Sequence, residues 1–321
     1  MTEQRADAHG PKERPAPTRR GVHNRLMQLA AVHDNGFRPG RTLRVRVEFV
    51  RQLRRRRTQL TALVLLALPV IIALAFQLSS STGSSGGAGG GPSRGSGSGS
   101  ALVTLATTGA TNFTLFTEFA SAGFLLVVIV ALFCGDTVAS EASWSSLRYL
   151  LAIPVPRPRF LRQKLIVALS LSFGANLLLP TWAYLVGGAF FGWAPGQSPL
   201  GGTFTTGVAL QRLLIVVCYV SLQSLLVAAL AFMLSVLTDA PLGAVGGATM
   251  LVVVSNILDS ITSLDPYRRF LPTHFQYSWL DALGQNVIWD DMMRGTGLVL
   301  VYSAVFFAVA WWRFQQKDIV S

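Results

Sequence analysis

Residues 59–78 read QLTALVLLALPVIIALAFQL, a stretch without one charged side chain. A hydrocarbon core about 30 Å thick is crossed by about 20 residues of helix, so this stretch has the length and chemistry of one membrane span. Five more apolar runs follow, at about 113–134, 165–192, 208–236, 242–262 and 296–312. The expected fold is an all-α integral membrane protein with six transmembrane helices. Composition agrees. Only 13% of the 321 residues are charged, against roughly 25% in soluble domains, and the mean hydropathy is +0.46.

Outward from this first span, the charge is lopsided. Residues 1–59 hold 15 Lys/Arg against 5 Asp/Glu, a net +10 out of the chain's +12. Lys and Arg accumulate on the cytoplasmic side of a membrane, and six spans return both termini to one side. Both termini are therefore expected in the cytoplasm. The connections fit: 135–164 is basic, 193–207 is uncharged, and 263–294 sets three arginines against four aspartates. A pI near 10.8 otherwise suggests nucleic acid. Here the cations form one tail beside a span, and anionic membrane lipid is the simpler partner; no nucleic-acid partner is expected. Nor is a cleavable leader, since the first apolar run begins near residue 60.

The chain divides into a polar tail, 1–40, expected to be disordered; an interfacial helix, 41–58; and a six-span region, 59–321. Within 41–58, Leu43, Val47, Val50 and Leu53 recur at spacings of three and four with arginines between them, the pattern of a helix lying in the membrane interface. The Gly/Ser-rich stretch 79–100 reads as a flexible outside loop. Gly188/Gly192 and Gly243/Gly247 have the small-xxx-small spacing that permits close helix packing.

The most informative connection is GDTVASEASWSSLRYLLAIPVPRPRFLRQK, residues 135–164. At 100° per residue Trp144, Leu147, Leu150 and Leu151 share an arc of about 120°, with Glu141, Ser145 and Arg148 opposite. Pro154, Pro156 and Pro158 forbid continuation of that helix. The segment resembles the signature of permease subunits of bacterial ATP-binding-cassette exporters of the second type. Gly135, Asp136, Ala139, Glu141, Leu147, Arg148, Leu150, Leu151, Pro154, Val155, Arg157 and Lys164 match that signature; Ser145 and Ser146 stand where the family usually has Gly and Thr. The ending WWRFQQKDI is also similar, and the resemblance covers roughly residues 40–321.

The resemblance implies an exporter subunit in the bacterial plasma membrane. The helix at 41–58 would be a cytoplasmic amphipathic helix, and the segment after span two a coupling helix seated on a separate ATPase. Glu141, Trp144, Leu147, Arg148, Arg157 and Arg159 would carry that coupling. The implied partners are two copies of an ABC-type ATPase and a second permease copy, with ATP and Mg on the ATPase and no cofactor in this chain. No phosphate-binding Gly-x-x-x-x-Gly-Lys-Ser/Thr occurs here. Few fixed charges lie within the spans, which suits a hydrophobic or amphipathic cargo such as a drug, antibiotic or lipid.

Polar residues inside lipid are costly and carry a functional expectation. Glu118, Arg212 and Asp259 fall near the outer ends of their spans, close enough to snorkel, and Glu118 and Arg212 are a possible pair. Asn176, Gln223 and Asn256 lie deeper, as pathway or interhelical hydrogen-bonding groups. No catalytic constellation and no metal-ligand cluster is found; His274 is the sole histidine beyond the tail. The chain is thus not expected to be an enzyme. The rival readings are a non-transporting scaffold or sensor subunit, an intramembrane enzyme, and an ion-coupled secondary carrier. The last is disfavoured by the lack of mid-membrane carboxylates.

Overall fold

A computed structural model describes residues 45–82, 98–143, 157–198, 202–238 and 240–316. The tail, most of the Gly/Ser-rich loop and the Trp144–Leu147–Arg148 stretch lie outside the described residues. The described part forms the helices α1 (Val45–Leu53), α2 (Arg56–Thr82), α3 (Ser98–Leu105), α4 (Ala110–Ala122), α5 (Leu125–Ser143), α6 (Arg157–Phe191), α7 (Thr206–Leu237), α8 (Pro241–Asp259) and α9 (Asp290–Gln316), with three short 3-10 turns between α8 and α9. No β-strand occurs among the described residues; Gln197 and Thr203 form one isolated bridge.

Five of these helices, α2, α6, α7, α8 and α9, are each long and apolar enough to cross a membrane. The sixth expected span differs from its reading. Instead of one rod over 113–134, α4 and α5 meet at 58°. The break lies at Gly123–Phe124, and the loop after α8 shapes it. Gln276 Nε2 donates to the Ala122 carbonyl at 2.8 Å, satisfying an acceptor near the end of α4. A β-carbon on Gly123 would lie 2.5 Å from the Tyr277 hydroxyl. Any larger residue would displace that hydroxyl.

α7 is the central helix. Some 61% of its apolar window is buried, against 17% for α2 and 22% for α8 and α9, so the latter three present most of their apolar surface outward, as lipid-facing helices do. Two apolar clusters surround α7. One gathers Val130, Val138, Phe160, Phe232 and Phe314. The other gathers Leu115, Leu126, Leu213, Val216 and Trp279.

Side-chain contacts sort the helix ends into two edges. At one, Phe160 stacks on Phe314 with centroids 6.3 Å apart, and the Val138 and Ala139 N–H groups of α5 donate to Ser235 Oγ of α7 at 3.1 and 2.9 Å. At the other, Phe76, Phe113 and Phe191 gather, and Arg212 reaches the loop after α8. Successive spans therefore alternate in direction.

Of the small-xxx-small glycines, Gly247 packs against a neighbouring helix, where a β-carbon would lie 3.3 Å from Leu234 of α7, and one on Gly188 would meet the Trp193 ring at 2.4 Å; other close approaches fall elsewhere. A β-carbon on Gly135 would lie 3.2 Å from the Val245 backbone nitrogen, and one on Gly187 2.9 Å from the Phe113 ring. Gly243 meets nothing closer than 3.6 Å. Pro69 interrupts the α2 ladder, and the Trp182 indole donates to the nearby Leu66 carbonyl at 2.9 Å.

Candidate functional site

The first edge holds a buried ionic cluster built from three elements far apart in sequence. α1 turns its polar side inward: Glu48 and Gln52 are buried, while Val47 is 64% exposed and Val45, Val50 and Leu53 are exposed beside it. Such a helix is inside out for a soluble protein and the right way round for one whose apolar face meets lipid. Lys164, in the second turn of α6, is buried between two acids. Its Nζ lies 2.6 Å from Glu48 Oε1 and 3.0 Å from Glu141 Oε1. Arg51 Nη2 donates to Glu141 Oε1 at 2.8 Å. Gln52 Nε2 donates to Glu48 at 3.1 Å.

One turn deeper on α5, Asp136 accepts from Arg57 at 2.6 Å and Arg55 at 3.4 Å. Breaking a buried pair by removing one partner costs about 3–5 kcal/mol, because the other charge stays behind in low dielectric. The cluster thus pins α1 and the start of α2 to the ends of α5 and α6. Burial pushes the Glu48 carboxyl up, but the Lys164 ammonium, seconded by Arg51 and Gln52, outweighs it and holds the carboxyl below its usual range.

Of the residues expected to couple to an ATPase, Glu141 has its carboxylate inside this cluster. Arg157 opens α6 and Arg159 is half-buried in its first turn. Trp144, Leu147 and Arg148 lie outside the described residues. In the sequence Glu48, Arg51, Arg55 and Arg57 mark only an interfacial helix and its charge. Their partners sit 79–116 positions away, and local spacing carries no signal of that.

The intramembrane polar residues do not converge. Glu118 is 1% exposed, rather than snorkelling, and neither carboxyl oxygen has a hydrogen-bond partner. It does not pair with Arg212. That guanidinium donates to the Ala282 and Gln285 carbonyls at 3.0 and 3.1 Å. Asn176 Nδ2 donates across helices to Ser224 Oγ at 2.9 Å. Gln223 is buried with its amide nitrogen unpartnered, and Asn256 is half-buried on α8. The Asp259 backbone carbonyl accepts from Arg268 at 3.2 Å, while its carboxylate lies 4.0 Å from Arg268 Nε and contacts His274 Nδ1.

The loop after α8 is packed into the second edge. Trp279, Ala282 and Leu283 are buried, Tyr219 donates to the Phe275 carbonyl at 2.7 Å, and Ser198 donates to the Leu283 carbonyl at 2.5 Å.

Residues 101–320 match the family described as Protein of unknown function (DUF2705). The chain belongs to this family. Membership spans α4 to α9 and so takes in Asp136, Glu141 and Lys164, while Glu48, Arg51 and the arginines opening α2 precede the matched region. No curated protein matches the chain.

Proposed function

We propose that this DUF2705 protein is the membrane permease subunit of an ATP-driven exporter, working with a separate ATPase and a second permease copy. One observation carries the reading. The residues through which segment 135–164 resembles exporter permeases include Asp136, Glu141 and Lys164; Glu141 and Lys164 meet α1, and Asp136 meets Arg55 and Arg57 at the start of α2, in one ionic cluster. An ATPase pressing on residues 144–156 would thereby act on α1, α2, α5 and α6 together. In this reading that edge and both termini are cytoplasmic, α1 is the interfacial helix, and the coupling helix lies between spans two and three. Glu141 then anchors the coupling helix from inside, while Trp144, Leu147, Arg148, Arg157 and Arg159 face the ATPase. The cargo is hydrophobic or amphipathic, moved out of the cytoplasm by ATP hydrolysed on the partner chain.

A second reading is favoured by one observation of its own. Glu118 is an unpartnered carboxyl within the membrane-spanning bundle, the kind of group an ion-coupled carrier titrates. One experiment separates the two. The chain is co-expressed with any ATP-binding-cassette ATPase found encoded beside it, and ATP turnover in lipid is compared between wild type and Trp144→Ala/Arg148→Ala. The exporter reading expects a stable complex whose turnover falls at least tenfold in the variant. A chain that purifies alone, or a variant matching wild type, sinks it. Uptake driven by a pH gradient without any ATPase, and lost in Glu118→Gln, establishes the carrier.

A further inference from the structure

Beside the ionic cluster lies a cavity of about 490 Å³ walled by Arg51, Arg55, Arg56, Arg57, Asp136 and Glu141, a volume typical of small-molecule sites. Its charges do not cancel. Arg51, Arg55, Arg56, Arg57 and Lys164 face Glu48, Asp136 and Glu141, five cations against three carboxylates. Lys164 is enclosed by its two acids, so the surplus lies on the arginines. Arg56 has no ion-pair or hydrogen-bond partner among the described residues, and Arg51 and Arg57 keep about half their side-chain surface exposed. Guanidinium forks with free N–H donors around an open space are the ordinary recognition of a phosphate.

The cavity has neighbours. A small space of about 20 Å³ shares Arg55, Arg57 and Asp136 with it, and shares Thr58, Phe133 and Leu171 with a third space of about 220 Å³. That last space is almost wholly apolar, lined by Phe49, Leu53, Leu65, Gly174 and Leu178. Leu53, Gly174 and Leu178 are exposed, so it opens on the lipid-facing side. An anion-binding head set beside an apolar trough, at the edge of a membrane bundle, has the outline of one amphiphile.

We infer that this site holds an anionic phospholipid, its phosphate on Arg51, Arg56 and Arg57 and an acyl chain in the trough beside Gly174. Charge complementarity selects the anionic headgroup, and the trough selects a lipid over free phosphate. The inference needs only that the chain is embedded in a membrane; it stands whether or not the exporter reading does.

The test uses the full chain, delipidated in a non-ionic detergent and followed by native mass spectrometry and thermal unfolding. It is titrated with dioleoylphosphatidylglycerol, dioleoylphosphatidylcholine, inorganic phosphate or glycerol 3-phosphate. The expected result is saturable, stabilising binding of the phosphatidylglycerol and none of the other three. Arg56→Gln, which breaks no pair, should weaken that binding about fivefold. Gly174→Leu, whose new side chain meets nothing within 4 Å at Cβ, should fill the trough and weaken it at least as much without lowering stability. Equal binding of phosphatidylcholine overturns the proposal. So does a matching response to phosphate or glycerol 3-phosphate, which would make this a soluble-anion site. Unchanged binding in both variants overturns it as well.

Discussion

The two edges of this bundle solve one problem with opposite chemistry. At the first, helix ends are tied by charges: Lys164 between Glu48 and Glu141, Asp136 between Arg55 and Arg57. At the second, the helices are tied by a loop whose carbonyls accept from Tyr219, Ser198 and Arg212, with Trp279 driven into the core. A hydrogen bond to a carbonyl is worth about 1 kcal/mol, more from the Arg212 guanidinium, and fails by itself, while one missing charge in a buried cluster strands its partners. The charged edge is therefore the cooperative one, and the looped edge is a sum of small terms.

The sharpest way to break that contrast is at Lys164. Lys164→Met leaves Glu48 and Glu141 buried without their shared cation and should destabilise the chain by about 3–5 kcal/mol, read as a lowered unfolding temperature in detergent. Adding Glu48→Gln should recover part of the loss; strict additivity would show that the two groups do not interact.

At the looped edge, Gly123→Ala should cost about 1–3 kcal/mol through overpacking, because the new methyl meets the Tyr277 hydroxyl and Tyr277 packs against Phe119 with centroids 5.2 Å apart, a contact it would have to give up to swing clear. Tyr277→Phe removes the obstructing hydroxyl and should restore the variant. If it does not, the break between α4 and α5 has another cause.

The smallest effect is in pH. The Glu48 carboxyl is held below its usual range in the folded state, so its contribution is complete above the unfolded value of about 4.3 and fades as pH falls through the folded one. Wild type should lose stability over that acid window, and Glu48→Gln should flatten the slope there. An unchanged slope would assign the acid limb to other carboxylates.

How much the sequence disclosed follows the same division. The apolar runs announced the spans, since each needs only its own composition to be recognised; the run at 59–78 lies inside α2 and that at 208–236 inside α7. The amphipathic spacing at 41–58 announced α1. The bend at Gly123 was hidden because its determinants, Gln276 and Tyr277, lie about 154 positions away. The ionic cluster was hidden for the same reason: arginines at 51–57 read as a topological signal and carry no label for Asp136 or Glu141. Arg212 and Glu118, equally plausible as a pair on the page, went separate ways because the loop after α8 offered carbonyls to the guanidinium alone.

The Ser235 hydroxyl set against the Val138 and Ala139 amides has a mechanical meaning. One hydroxyl of α7 thus holds two successive amides of α5, and a slide of α7 along α5 by one residue's rise, about 1.5 Å, would stretch both bonds at once: the two helices are keyed to each other in height at the first edge.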